Sequence, residues 1–128
     1  MALETRTPTP APLILLIEDD ASVREALTFA LTIDGFRVEV HESAEPLLAQ
    51  ADLPTPACLV LDHHLPGTPG ADALARFREL GLACPAILIT TQPKPEVRAA
   101  AARLGARILE KPLLGGELPA AIREMLAD

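Results

Sequence analysis

The sequence predicts a doubly wound α/β domain built on a parallel sheet. Three observations lead there. Five strand-length segments alternate with five segments of helical spacing. Several of those strands are unbroken apolar runs with no polar face, as expected of strands covered on both sides. The runs also end abruptly in acids, a threonine or a lysine, which places chemistry at one edge of the sheet.

Taken in order, Met1 to Pro12 carries Pro8, Pro10 and Pro12 among Thr and Ala, and reads as an extended or disordered lead-in to a domain spanning 13–128. Leu13 to Ile17 is the first buried strand and stops at Glu18-Asp19-Asp20. Val23, Ala26, Leu27, Ala30 and Leu31 fall at helical spacing, and Gly35 ends that helix. Phe36, Val38 and Val40 alternate with Arg37, Glu39 and His41, the pattern of a half-exposed strand at an edge. Ser43 opens a short helix through about Gln50, and Pro54 and Pro56 mark a loop.

Ala57 to Leu61 is the second buried strand, followed by Asp62. Pro66, Gly67, Pro69 and Gly70 turn the chain into a helix with Ala73, Leu74, Phe77 and Leu80 on one face. Pro85 to Ile89 is buried again and leads to Thr90-Thr91. Val97, Ala100, Ala101 and Leu104 make a helical stripe stopped by Gly105. Arg107 to Glu110 is a short strand before Lys111-Pro112. Leu118, Ala121, Ile122 and Met125 form the last helix.

Composition narrows the function. At 128 residues the chain is sized for one core. Three Phe and no Trp or Tyr leave that core to Leu, Ile, Val and Ala. With 11 basic against 18 acidic residues, the net charge of −7 argues against direct nucleic-acid binding, which depends on a basic surface. No apolar run approaches the roughly 20 residues that span a bilayer, and Met1 to Pro12 lacks the apolar segment of a signal peptide. Membrane partners are therefore not expected, and a cytoplasmic setting is. Cys58 and Cys84 sit in apolar stretches and read as small buried hydrophobes rather than a disulfide or metal pair.

The polar strand ends converge in an open α/β sheet, because ligands bind outside the carboxyl ends of the strands where strand order reverses. Glu18, Asp19, Asp62, Thr90 and Lys111 are thus expected in one pocket. Three carboxylates there repel one another, and a divalent cation offsets that repulsion. Oxygen donors favour a hard ion such as Mg2+. Lys111 adds a mobile positive charge and Thr90 a hydroxyl donor. A nucleophilic carboxylate beside a metal, an ammonium and a hydroxyl makes a phosphoryl-transfer site.

At these residues the chain resembles a known family. Ile17-Glu18-Asp19-Asp20, Leu59-Val60-Leu61-Asp62-His63-His64-Leu65-Pro66-Gly67, Ile87-Leu88-Ile89-Thr90 and Glu110-Lys111-Pro112 resemble the four signature segments of response-regulator receivers, in order and spacing. The helix near Ala21 and the stretch from Gly35 to Ala44 are most similar to the nitrogen-fixation regulators. The resemblance covers about residues 12–127. It implies the flavodoxin-like, CheY-like fold with strand order 2-1-3-4-5. It implies Asp62 as phosphoacceptor, with Mg2+ held by Asp19, by Glu18 directly or through water, by Asp62, and by the backbone carbonyl of His64. Thr90 would contact the phosphoryl group, Lys111 would pair with one of its oxygens, and the Lys111-Pro112 peptide would be cis. Asp20 is left as a helix cap.

Three features depart from the family pattern. Ile108 stands where a Tyr or Phe usually acts as a rotameric switch, and the Gly105–Lys111 interval is one residue short. Thr91 replaces a small residue. Gln92-Pro93-Lys94-Pro95 is stiffened by two prolines. His63-His64, with no Cys or further His nearby, reads as loop polarity rather than a transition-metal site.

The resemblance implies a sensor histidine kinase or His-containing phosphotransfer protein as donor. Output would pass to a further protein through the face with Arg98, Arg103 and Arg107, and a homodimer is compatible with the sequence. Met1 and the acidic ending favour a complete single-domain protein over a fragment of a longer regulator. Two other functions draw on the same residues. A degenerate receiver serving as a phosphorylation-independent interaction module would account for the missing aromatic. A metal-dependent hydrolase would use the carboxylates, but lacks a base positioned for a substrate.

Overall fold

The computed structural model describes residues 11–113 and 115–127. All but the last two residues of the expected 1–12 lead-in therefore lie outside the described residues. Five parallel strands form one sheet in the order β2-β1-β3-β4-β5: β1 (Leu13–Ile17), β2 (Arg37–His41), β3 (Cys58–Asp62), β4 (Ala86–Thr90) and β5 (Ala106–Glu110). Between and after them run α1 (Ala21–Ile33), α2 (Glu45–Leu48), α3 (Gly70–Glu79), α4 (Pro95–Arg103) and α5 (Glu117–Leu126).

The period-2 alternation of strand side chains divides the core into two layers. Leu15, Ile17, Leu59, Leu61, Ala86 and Leu88 point to one face, where Leu47 of α2 and Leu74 and Phe77 of α3 cover them. Val97 and Ala100 of α4 pack against the same layer. Ile14, Leu16, Cys58, Val60, Ile87 and Ile89 point to the other, under Leu31 of α1 and Leu118, Ala121 and Ile122 of α5. This is why β3 and β4 read as continuous apolar runs: every residue of both strands is buried. Cys58 and Cys84 are free thiols, and burial pushes the Cys58 thiol up to about 12, so it behaves as a small apolar filler.

Local signals set the boundaries. Asp20 caps α1 by accepting a hydrogen bond from the Val23 amide at 3.0 Å. Gly35, at φ +96°, turns the chain out of α1 in a conformation that suits glycine. Three expectations need correcting. Ser43 does not open α2: the helix starts after Ala44, makes no side-chain cap, and ends at Leu48 rather than near Gln50. Pro46 in its first turn accounts for the start, since its fixed φ suits that position and no amide is lost. Leu80 is half-exposed because α3 stops at Glu79 and Gly81 turns the chain away at φ +95°. Val40 is also exposed. Phe36 and Val38 join the layer with Leu27 and Leu31, but Val40 lies beyond it on the edge strand.

Among the described residues no helix is long and apolar enough to cross a membrane.

Candidate functional site

β1 and β3 are neighbours at the point where the strand order reverses, and their carboxyl ends deliver the acids. Glu18, Asp19 and Asp62 each offer a carboxylate oxygen, and the three oxygens lie within 4.8 Å of one another. Glu18 and Asp62 are almost wholly buried, at 1% and 2% exposure, whereas Asp19 is exposed. The loop between β1 and α1 is only three residues long and tightly held. The Glu18 amide donates to the His41 carbonyl at 3.0 Å, and the Asp20 amide donates to Glu18 Oε2 at 3.1 Å. The other carboxylate oxygen, Glu18 Oε1, is buried with no hydrogen-bond partner among the described residues.

An orphaned buried carboxylate oxygen is costly unless charge is supplied or a proton taken up. Burial pushes Glu18 up to about 7; the Asp20 amide opposes the rise, and the Asp62 charge adds to it. Burial also acts to raise Asp62, but hydrogen bonds from Lys111 and the His64 amide and the Lys111 charge outweigh it and hold Asp62 below its ordinary range. Two acids with opposite shifts share the site. This donor set, oxygen-only with one unpartnered oxygen, fits a hard divalent cation.

Lys111, the residue after β5, places Nζ 2.9 Å from Asp62 Oδ2 and 3.8 Å from Glu18 Oε1. Its backbone amide donates to the Thr90 carbonyl at 2.9 Å, which fixes where the side chain departs from the sheet. Partial burial lowers its pKa, but Asp62, Glu18 and Asp19 together raise it, so it stays an ammonium. The Lys111–Pro112 peptide is cis, as the resemblance implied.

Thr90 ends β4 and is 1% exposed. Its Oγ1 lies 3.3 Å from His64 Nε2 and donates to the Thr91 carbonyl at 3.2 Å. The His64 amide donates to Asp62 Oδ1 at 3.0 Å. His63 stands edge-on to the His64 ring, with centroids 5.3 Å apart; its Nδ1 accepts the Ala71 amide at 3.3 Å, and burial lowers its pKa. The two imidazoles thus serve different partners, in keeping with loop polarity. Gln92, after Thr91, adopts φ +46°, an unfavourable conformation for a non-glycine residue in the loop between β4 and α4. Ile108, like Val97, Ala100 and Leu104, is partly buried against the core layer.

A family model described as the response regulator receiver domain matches residues 14–123. The chain belongs to that family. The transcriptional regulatory protein FixJ of Rhizobium meliloti (strain 1021) is 35% identical over 98 residues, which is 76% of this chain and 48% of that protein. The structure of full-length FixJ from B. japonicum superimposes with a TM-score of 0.81 at 31% identity, covering 93% of this chain and 59% of the other. The receiver domain of the sensor histidine kinase PA1611 from Pseudomonas aeruginosa PAO1, described with a magnesium ion coordinated in its active-site cleft, shares the fold. Its TM-score is 0.80 at 21% identity, over 92% of this chain and 99% of that one. The chain spans about half the length of the curated relatives it matches.

The receiver fold brings together Glu18, Asp19, Asp62, Thr90, Lys111 and the backbone of His64, the residues the sequence pointed to. Three supporting contacts escaped the sequence reading. Arg24 Nη1 donates to the carbonyls of Glu18 and Asp19 at 2.8 and 3.3 Å. Glu45 Oε2 accepts from the amide and hydroxyl of Thr68 at 2.8 and 2.7 Å, tying the loop after β3 to α2. Gly70 packs so closely that an added Cβ would meet the Asp62 carbonyl at 2.4 Å and His63 Cα at 2.7 Å. Position in the sequence hinted at Arg24, four residues after the capping Asp20 on the first turn of α1. The other two depend on chain segments meeting in space.

Proposed function

We propose that this receiver takes a phosphoryl group onto Asp62, and that residues 13–128 act as the switch of a two-component system. The observation carrying the proposal is the meeting of Asp62 with Lys111 at 2.9 Å beside the buried Glu18, whose Oε1 accepts no hydrogen bond among the described residues. A purely structural module has little use for a buried, repelling acidic pair. The Asp62 oxygen would attack phosphorus while the bond from phosphorus to the donor breaks, yielding an acyl phosphate on Asp62 and a free donor imidazole. Lys111 already pairs with Asp62 Oδ2, and the Thr90 hydroxyl, which donates to the Thr91 carbonyl at 3.2 Å, would turn from it to donate to a phosphoryl oxygen.

Glu18, Asp19, Asp62 and the backbone carbonyl of His64 would hold Mg2+, whose contribution is to neutralise the oxygens of the transferring group. The donor is a sensor histidine kinase or a His-containing phosphotransfer protein. Chemistry is limited to self-catalysed phosphoryl transfer and autodephosphorylation, in keeping with a cytoplasmic signalling domain. Output passes by partner binding or relay. The face around α4, β5 and α5, where Arg98 pairs with Glu110 and Arg107 with Glu124, is the surface for it.

Incubation with acetyl phosphate and MgCl2 followed by intact-mass measurement tests the proposal. One labile phosphoryl adduct, absent in Asp62→Asn, is expected. A chain that stays unmodified while remaining folded overturns it.

A further inference from the structure

We infer that Arg24 is the positioning residue of the cation site: it does not touch the ion, but it sets the direction in which Glu18 and Asp19 present their carboxylates. The inference rests on the cation reading given above and adds a residue to it.

The loop Glu18-Asp19-Asp20 must turn the chain from β1 into α1 within three residues while aiming two acids at the same point. Its inner side is held by the Glu18 amide on His41 and the Asp20 amide on Glu18 Oε2. Its outer side is held by Arg24. One guanidinium nitrogen takes the carbonyls of both Glu18 and Asp19, at 2.8 and 3.3 Å, and the other lies 3.5 Å from Glu42 Oε1, just past the end of β2. Arg24 is itself fixed. Its amide donates to the Asp20 carbonyl at 2.8 Å, and its side chain is only 17% exposed. A guanidinium carries two terminal nitrogens, so one takes both carbonyls while the other reaches the Glu42 carboxylate, a span that the single nitrogen of an ammonium does not cover. With both carbonyls drawn to the Arg24 side, the peptide planes on either side of Asp19 are set. Groups that orient ligands in this way typically change metal affinity by about 10- to 100-fold when removed.

Charge alone predicts the opposite. A guanidinium close to a cation site repels the ion, so neutralising it would tighten binding. The two roles of Arg24 therefore differ in sign.

Because the chain has no Trp or Tyr, binding is best followed by amide NMR shifts during titration of the intact chain with MgCl2, for the wild type, Arg24→Met and Arg24→Lys. Metal-free spectra and melting temperatures establish that each variant is folded. Positioning predicts binding about tenfold weaker in Arg24→Met, and weaker by a smaller factor in Arg24→Lys, which keeps the charge but has a single nitrogen to share between the carbonyls and the Glu42 carboxylate. Unchanged or tighter binding in folded Arg24→Met overturns the inference. If Arg24→Met does not fold, Arg24→Lys decides, and affinity equal to wild type overturns it. A wild-type chain with no saturable Mg2+ shift would instead sink the cation reading of the site.

Discussion

Lys111 Nζ stands 2.9 Å from Asp62 Oδ2, across a sequence separation of 49 residues, and 3.8 Å from Glu18 Oε1. One ammonium from the end of β5 thus balances acids from β1 and β3. Removing it leaves two buried carboxylates facing each other. Lys111→Met is therefore expected to raise the titration midpoints of the Asp62–Glu18 pair in the metal-free protein, read by carboxyl carbon NMR. Stability at pH 7 should fall by about 2 kcal/mol, since the partner of a largely buried ion pair is lost. Midpoints that do not move would show that Lys111 is solvated rather than paired.

Glu18 gives the metal-free protein an unusual dependence on pH. Its folded pKa, about 7, lies above the ordinary 4.5, so between those values the native state holds a proton that the unfolded chain has lost. Stability should fall as pH rises through that window and stay lower above it. Asp62 works the other way: its depressed pKa contributes stability above the ordinary 3.8 that is lost as pH falls below it. Urea melts at several pH values in EDTA should show the decline, and MgCl2 should reverse it at pH 8. Glu18→Gln should flatten it. An unchanged slope in that variant would place the effect elsewhere.

Gly70 begins α3 directly against the backbone of the site, its amide donating to the His63 carbonyl at 2.8 Å. The atoms that a methyl group would strike are backbone, which cannot swing aside. Gly70→Ala is expected to cost about 1–3 kcal/mol in urea unfolding, the usual range for overpacking, and to weaken Mg2+ binding by moving the Asp62–His63 peptide. A neutral effect on both would mean that α3 shifts without disturbing the site.

Arg78 staples the opposite end of the molecule. Its guanidinium donates to the carbonyls of Leu104, Leu82 and Cys84 at 2.9, 2.8 and 2.7 Å, joining the end of α4 to the loop before β4. Arg78→Met keeps the aliphatic stem and strands those carbonyls. A loss of about 2–3 kcal/mol in denaturant unfolding is expected, with Mg2+ binding intact because the residue lies away from the acids. A loss under 0.5 kcal/mol would mean that water replaces the guanidinium.

How far the sequence carries is clearest at the strands. β1, β3 and β4 were legible because burial on both faces leaves only apolar residues, and the polar residues that close them mark the site directly. Val40 and Leu80 misled for a related reason. An apolar residue in the right period reports what could be buried, whereas the length of α3 and the reach of the layer over β2 decide what is.

By itself, the amino-acid order determined the alternation of strands and helices and the chemical identity of the site: Glu18, Asp19, Asp62, Thr90 and Lys111 follow strand ends, and parallel strands bring those ends to one edge. Only tertiary structure decided the neighbours of those groups. It left Glu18 Oε1 without a hydrogen-bond partner among the described residues, paired Lys111 with Asp62, set His64 against Thr90, and turned Arg24 behind the acidic loop. The physical reason is range. Strand and helix preferences are written over a few neighbouring residues, but a hydrogen bond or charge pair depends on ångström-scale separations between segments that meet only when the sheet has formed.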